Sequence, residues 1–311
     1  MLGKESKFDS VLVIAFGGPE GIDDVRPFLM KVTRGRVPKE RLATVAQHYE
    51  LFEGKSPVRE VTFRQAEALR SELKNQGLPL RVYVGMRNWH PFIKETIGQM
   101  NRDGARRAVG LIMSVYDSRS SWDQYQSDVA TAIAEAGVDL HVGYTAPFFD
   151  RPGFLKTVSR RVKECLEQIP DHDRGKACVL FTAHSLPYSD PKVEVYCRQV
   201  DRSAALVAED LNHSLWKVAY QSRSGRPQDP WLEPDVNDVL RDLGHQEVKH
   251  VVAMPIGFVC DNIEVLYDLD IQAKDTAKQA GITLLRAKTV GNDQAFIEAL
   301  AQLVIKVAKD F

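Results

Sequence analysis

The sequence predicts an α/β protein built from two similar, doubly wound, Rossmann-like domains facing each other across a cleft. Three observations predict it. Short β-branched runs alternate with longer amphipathic stretches, the pattern of parallel sheets covered by helices. The second half repeats the order of landmarks in the first, about 140 residues on. A chain of 311 residues also suffices for two moderate domains with their own cores.

In chain order the buried strands are expected at SVLVIAF (10–16), RVYVGM (81–86), AVGLIMSV (108–115), LHVGY (140–144), ACVLFTA (177–183), KVAYQS (217–222), HVVAMPIGF (250–258) and ITLLRA (282–287). Each is short, apolar and rich in Val, Ile or aromatic residues, as strands buried on both faces require. Helical periodicity falls at 61–75, 91–102, 124–136, 153–168, 191–211, 234–243 and 262–279. Asp190 and Pro191 suggest a capped start for the helix at 191–211. In the repeat, RVYVGMRN, a helix near Pro91 and AVGLIMSVYDSRSS match KVAYQSRS, a helix near Pro234 and HVVAMPIGFVCDN. VLVIAFGGP (11–19) and CVLFTAHSLP (178–187) form a looser pair. The domains are accordingly set at 1–150 and 151–311, with the C-terminal helix able to pack back on the first. In such sheets ligands bind beyond the carboxyl ends of the strands.

Bulk properties exclude several classes. The 41 basic and 42 acidic residues nearly cancel, which gives no electrostatic reason to expect nucleic acid. Cys165, Cys178, Cys197 and Cys260 are scattered without a CxxC pair, as in a reduced cytoplasmic protein rather than a disulfide scaffold or zinc cage. No apolar stretch is long enough for a transmembrane segment. MLGKESKFDS runs into a short strand and lacks the core of a signal peptide.

Four segments could carry chemistry. AFGGPEG (15–21) is a glycine-rich turn, but it is not GxGxxG, and its proline removes an amide that would cradle phosphate. It suits backbone approach to a flat ligand, or a plain turn. FTAHSLP (181–187) ends a core strand on His184, either as a loop histidine or as a ligand at a cleft mouth. Ser185 lies in no GxSxG elbow, so serine nucleophile chemistry is discounted. In PIGFVCDNIEVLYDLDIQ (255–272), Asp261, Glu264 and Asp268 fall at i, i+3 and i+7, with Gln272 continuing the stripe. Acidic stripes are usually solvated faces. This one follows a buried strand at the same sheet edge as His184, where carboxylates suit cation binding or proton exchange. QSRSGRPQDPWLEP (221–234) is a loop too rich in Pro and Gly for regular structure, with Trp231 either a plug or a cleft wall.

Taken together, HSLP, the QSRSGxPxxPWLxP loop and PIGFVCDNIEVLYDLD resemble the signatures of the ferrochelatases, which insert ferrous iron into a porphyrin. The resemblance extends through AFGGP, RGR, HYELFEGKSP, GMRNWHPF and SRSSWDQY, in order, over nearly the whole chain. It implies a lyase-class metal chelatase of heme biosynthesis, with two Rossmann-like domains around a porphyrin cleft. It makes His184 and Glu264 the catalytic and metal-handling pair, with Asp268 behind them as a relay or secondary cation site. Phe16, Arg34, His48, Tyr49, Ser56 and Tyr125 are implied around the macrocycle and its propionates, with Trp231 a further ring contact.

Two departures stand out. Phe16 stands where some bacterial members have tyrosine, so no phenolate axial ligand is expected there. SVYDSRSS resembles the actinobacterial-type variant, some members of which carry an iron–sulfur cluster on clustered cysteines near the C-terminus. Here the last cysteine is Cys260, so no cluster and no permanently bound cofactor is expected, Fe²⁺ being a substrate.

Metal insertion requires stripping water from the ion, removing two pyrrole protons and tilting nitrogen lone pairs out of the ring plane. An imidazole can ligate Fe²⁺ or accept a proton, and a facing carboxylate favours the cation. Binding a bent ring draws on remote contacts. KVTRGRVPKER (31–41) gives a polar, basic lip that favours four-propionate coproporphyrin III over protoporphyrin IX. The alternatives are a protoporphyrin ferrochelatase, a sirohydrochlorin-type cobalt or nickel chelatase, and a non-enzymatic porphyrin carrier. Transient contact with neighbouring heme-pathway enzymes is a further expectation.

Overall fold

The computed structural model describes residues 7–33, 39–224 and 228–310. They form two compact units. The first takes the chain up to Ser114, then Ser120–Phe148 and everything from Asn292; the second takes Val115–Arg119 and Phe149–Gly291.

In the first unit the elements run β1 (Ser10–Ala15), α1 (Ile22–Thr33), α2 (Lys39–Glu50), α3 (Val58–Asn75), β2 (Arg81–Met86), α4 (Ile93–Arg102), β3 (Arg107–Ile112), α5 (Gln124–Ala136) and β4 (His141–Tyr144). The strands are all parallel in the order β2-β1-β3-β4. Every residue of β1 is buried, which is why this central strand reads as an unbroken apolar run without alternation. Leu12 and Ile14 pack with Ile97, Met100 and Val129.

The second unit runs α6 (Pro152–Leu166), α7 (Asp171–Arg174), β5 (Cys178–His184), α8 (Val193–Asp210), β6 (Trp216–Gln221), α9 (Val236–His245), β7 (His250–Met254), α10 (Ile263–Tyr267), a π-helical turn (Asp268–Ala273), α11 (Lys274–Gln279) and β8 (Thr283–Arg286). Its strand order, β6-β5-β7-β8, repeats that of the first sheet, again all parallel. Met86 N–H donates to the Pro91 carbonyl in one unit, and Tyr220 N–H donates to Pro234 in the other. The internal repeat thus extends to individual backbone bonds.

The last helix, α12 (Gln294–Asp310), belongs to the first unit, where it packs on α3 and β3. Its buried face includes Phe296, Ile297, Leu300 and Val304. Each fully buried side chain of this kind contributes roughly 1.5–3 kcal/mol, enough to fix the helix.

Several boundaries differ from the sequence reading. α1 and α2 were not expected, because Pro27 interrupts the periodicity of α1 and the polar 31–41 stretch resembles a loop. The helix expected at 191–211 begins at Val193, so Asp190 is not its cap. Asp190 Oδ1 instead accepts the Lys192 amide in the turn before it, at 2.9 Å. The helix expected at 262–279 is one continuous path, but its middle widens into the π-helical turn.

Candidate active site

His184 is the last residue of β5, in register with Gln221 of β6. Its backbone is held from several sides. The Tyr196 hydroxyl donates to the His184 carbonyl at 2.9 Å, and the next amide, Ser185, donates to Gln221 at 2.8 Å. Ser185 is buried, and its hydroxyl donates to the Leu232 carbonyl, so it is committed to structure and not to nucleophilic chemistry. Leu232 N–H donates back to Leu186, and Trp231 forms an antiparallel bridge with Pro187. The PWL segment therefore straps the chain just after the histidine, with Trp231 half-buried. Gly257 passes so close to the strand that an added Cβ would lie 3.0 Å from Ala183 Cα. Here the missing side chain is a packing requirement.

The imidazole is fixed by its Nδ1, 2.5 Å from the Ser185 carbonyl, which can only accept. Nδ1 therefore carries hydrogen, and Nε2 faces Glu264 Oε1 at 3.6 Å. The two side chains are 33% and 43% exposed, so both can meet a ligand.

Glu264 lies in the first turn of α10, which Asn262 caps by accepting the Val265 amide at 2.8 Å. Val265, Leu269, Ala273 and Ala277 recur every four residues and bury into the core of the second unit. Glu264, Asp268 and Gln272 each precede one of these, which is how the acidic row arises beside the apolar one. Asp268 Oδ2 accepts from Ser222 Oγ at 2.5 Å, and Gln221 Nε2 reaches it at 3.5 Å. Gln221 is buried, and its own carbonyl oxygen accepts from the buried Thr182 hydroxyl at 2.9 Å. Ser222 adopts a left-handed backbone (φ 61°), uncommon for a residue with a side chain.

The charges of this cluster shape its protonation. Burial pulls the His184 pKa down, but the Glu264 carboxylate, the Ser185 carbonyl and Asp268 outweigh it and raise it to about 9. Burial raises Asp268 to about 6, with the Glu264 charge adding to it and the Ser222 hydrogen bond opposing. These shifts favour a protonated His184 beside Glu264 at neutral pH, with Asp268 raised above the usual carboxylate range. Among the described residues no group of three or more His, Cys, Asp or Glu side chains forms a ready-made metal cage.

Asp261 does not join the acidic row. It precedes the helix, and its carboxylate turns to Arg286, at 3.0 Å, and to Thr289. Gln272 is exposed at the end of the row.

The remaining expected residues lie in the first unit, apart from Arg34, which falls outside the described residues. Phe16 follows β1 and is 41% exposed, its ring edge-on to Phe28 at 6.3 Å. Tyr49 also packs on Phe28, with ring centroids 6.0 Å apart. Half-buried His48 has its pKa lowered by desolvation. Ser56 and Tyr125 are each 5% exposed, so both support their surroundings more than they form a surface. Ser56 lies against Gly18, and Tyr125 sits under the Arg87 guanidinium at 5.7 Å.

Sequence reasoning missed Gln221, Ser222, Thr182, Tyr196 and Arg286. The repeat could have flagged Gln221, since it ends the strand expected to pair with the histidine strand. Nothing local marks the others.

Comparison with known proteins agrees with this architecture. Over 97% of this chain and 95% of the other, the fold matches the cobalt complex of the sirohydrochlorin chelatase SirB from Bacillus subtilis subspecies spizizenii, with a TM-score of 0.59 and 14% identity. The protein thus has the two-unit α/β chelatase fold. At the sequence level, the model of the ferrochelatase family matches residues 9–308. The coproporphyrin III ferrochelatase of Mycobacteroides abscessus is 40% identical over 97% of this chain and 89% of its own length. That of Streptomyces coelicolor is 41% identical over 98% and 87%. The chain belongs to the ferrochelatase family. Among the described residues no helix is long and apolar enough to cross a membrane.

Proposed function

We propose that the protein inserts Fe²⁺ into coproporphyrin III, giving the iron coproporphyrin of heme biosynthesis. The observation that carries this reading is the His184–Glu264 pair at the tip of β5, 3.6 Å apart and partly exposed. Ring binding alone would not require such a pair. The substrate rests on the curated relatives, named coproporphyrin III ferrochelatases, and on the basic 31–41 stretch.

Insertion releases two pyrrole protons. At neutral pH His184 holds its own proton because of Glu264, so it must be discharged before it can accept another or bind a metal. An arriving divalent cation does this: its charge offsets that of Glu264 and lowers the imidazole pKa. The neutral ring then offers Nε2 as ligand or base, with Glu264 opposite as cation partner. Asp268, its pKa raised to about 6, relays each proton in turn to solvent, the one His184 gives up and the two from the pyrroles. Phe16, Tyr49, His48 and Trp231 serve as ring contacts in this proposal, with Arg34 on a propionate. No resident cofactor or iron–sulfur cluster takes part, and Fe²⁺ is consumed as substrate.

The test is anaerobic absorbance spectroscopy of the purified protein with Fe²⁺ and, separately, coproporphyrin III, protoporphyrin IX and sirohydrochlorin. Turnover of coproporphyrin with the highest kcat/KM is expected. Preference for protoporphyrin overturns the substrate. Cobalt or nickel insertion into sirohydrochlorin alone overturns the reaction, and ring binding without insertion makes the protein a carrier.

A further inference from the structure

Glu264 stands near the start of a helical path whose hydrogen-bond pattern changes from α to π just after it. α10 has five residues and passes at once into the π-helical turn. The helical path continues to Gln279, and the π-turn in its middle changes the hydrogen-bond register within it. The apolar stripe under Val265, Leu269 and Ala273 anchors the underside. That stripe sets the face from which Glu264 projects, while the two ends of the segment are held by side-chain bonds.

Two carboxylates flank that glutamate, Asp261 before it and Asp270 after it, and both end on one side chain. Arg286, on β8, donates from Nη1 and Nη2 to Asp261 at 3.1 and 3.0 Å. Its Nε and Nη2 reach Asp270 at 3.2 and 2.9 Å. Thr289 adds a hydrogen bond to Asp261 at 3.0 Å, and Lys274 pairs with Asp270 from outside at 3.2 Å. The guanidinium side chain is only 13% exposed. A planar fork gripping two carboxylates fixes their orientation as well as their distance, which a point charge cannot.

We propose that Arg286 is a positioning residue, stapling both ends of the 261–270 segment so that Glu264 is held opposite His184. The proposal rests on the assignment of Glu264 as the partner of His184. Removing the guanidinium leaves two carboxylates facing each other in a poorly solvated place, and the segment opens between them.

Arg286→Lys, which keeps the charge and loses the fork, is compared with wild type in Fe²⁺ insertion into coproporphyrin III and in thermal unfolding. The expected result is a fall in kcat of about 10-fold or more, with the ring KM within about twofold, as misplacement of a reacting group produces. In a Glu264→Gln background the same substitution causes no further loss of kcat, because the group it positions is already gone. Asp270→Asn, which removes one prong and perturbs folding less, shows the same split at smaller size.

A variant with lowered melting temperature but wild-type kcat overturns the proposal, as does an equal fold-loss in both backgrounds. If the wild type itself inserts no metal, the reading of the site fails instead. The staple is then judged by a crystal structure of Arg286→Lys. The His184–Glu264 separation opens beyond 3.6 Å if the proposal holds and is unchanged if it does not.

Discussion

The two sheets share strand order and parallel pairing, yet their carboxyl ends carry different chemistry. Beyond β1 the chain runs Phe16, Gly17, Gly18 and Pro19, an apolar ring followed by a turn that lets backbones approach. Gly17 takes a left-handed backbone at φ 85°, and an added Cβ would lie 3.0 Å from the Trp89 amide. Beyond β5, the matching strand, stand His184 and the carboxylates of Glu264 and Asp268. One scaffold position offers a flat apolar surface and its counterpart offers titratable groups. A strand tip in this fold is therefore a post whose chemistry is set by the residue placed on it, not by the sheet.

The sharpest way to break that contrast is His184→Ala. Ring binding, followed by fluorescence quenching, should stay within about threefold, while Fe²⁺ insertion falls by roughly 10³-fold or more, as loss of a proton-transfer group does. Wild-type insertion by this variant would remove the second tip from the chemistry altogether.

Glu264→Gln sharpens the electrostatic half of the comparison. An imidazole whose folded pKa lies above its unfolded value binds its proton more tightly when folded. Its contribution to stability is complete below about 6.5 and disappears as pH rises through about 9. The glutamine removes the main cause of the elevation and leaves burial opposed only by the Ser185 carbonyl and Asp268, so the pKa of His184 falls from about 9. The melting-temperature gap between wild type and variant should thus be widest below about pH 6.5 and close as pH rises through about 9. A gap that persists unchanged in strong alkali means that His184 and Glu264 are not coupled. Insertion by the variant should fall by about 10²-fold.

The parts of this arrangement legible in the sequence are those with a period. All eight strands were found because parallel strands buried on both faces leave unbroken apolar runs. Their ends were less visible: 108–115 and 250–258 read as strand to the last apolar residue, whereas β3 and β7 stop at Ile112 and Met254, where neighbour pairing ends. His184 and Glu264 were legible through motif and resemblance. Asp261 was misassigned because its spacing fits a helix that begins only at Ile263, and its partner Arg286 lies far along the chain. Gln221 is marked only by the repeat, which ends its strand beside the histidine strand, and Ser222 by nothing local, since its hydroxyl meets Asp268 far along the chain.

The smallest expected effects come from one glycine beside each strand tip. A Cβ on Gly18 would meet Ser56 Cβ at 2.6 Å, too close without movement of a buried residue. A Cβ on Gly257 would meet Ala183 at 3.0 Å, which requires a shift of only a few tenths of an ångström, but in the strand that ends on His184. Gly18→Ala should therefore cost more stability, on the order of 1–3 kcal/mol as overpacking does, with kcat unchanged. Adding Ser56→Gly should restore most of that loss by vacating the space. Gly257→Ala should unfold only slightly earlier yet lower kcat by about 3- to 10-fold, because it displaces the histidine relative to Glu264. Calorimetry and steady-state kinetics on the same preparations separate the two effects. If Gly18→Ala lowered kcat and Gly257→Ala did not, the catalytic role would belong to the apolar tip.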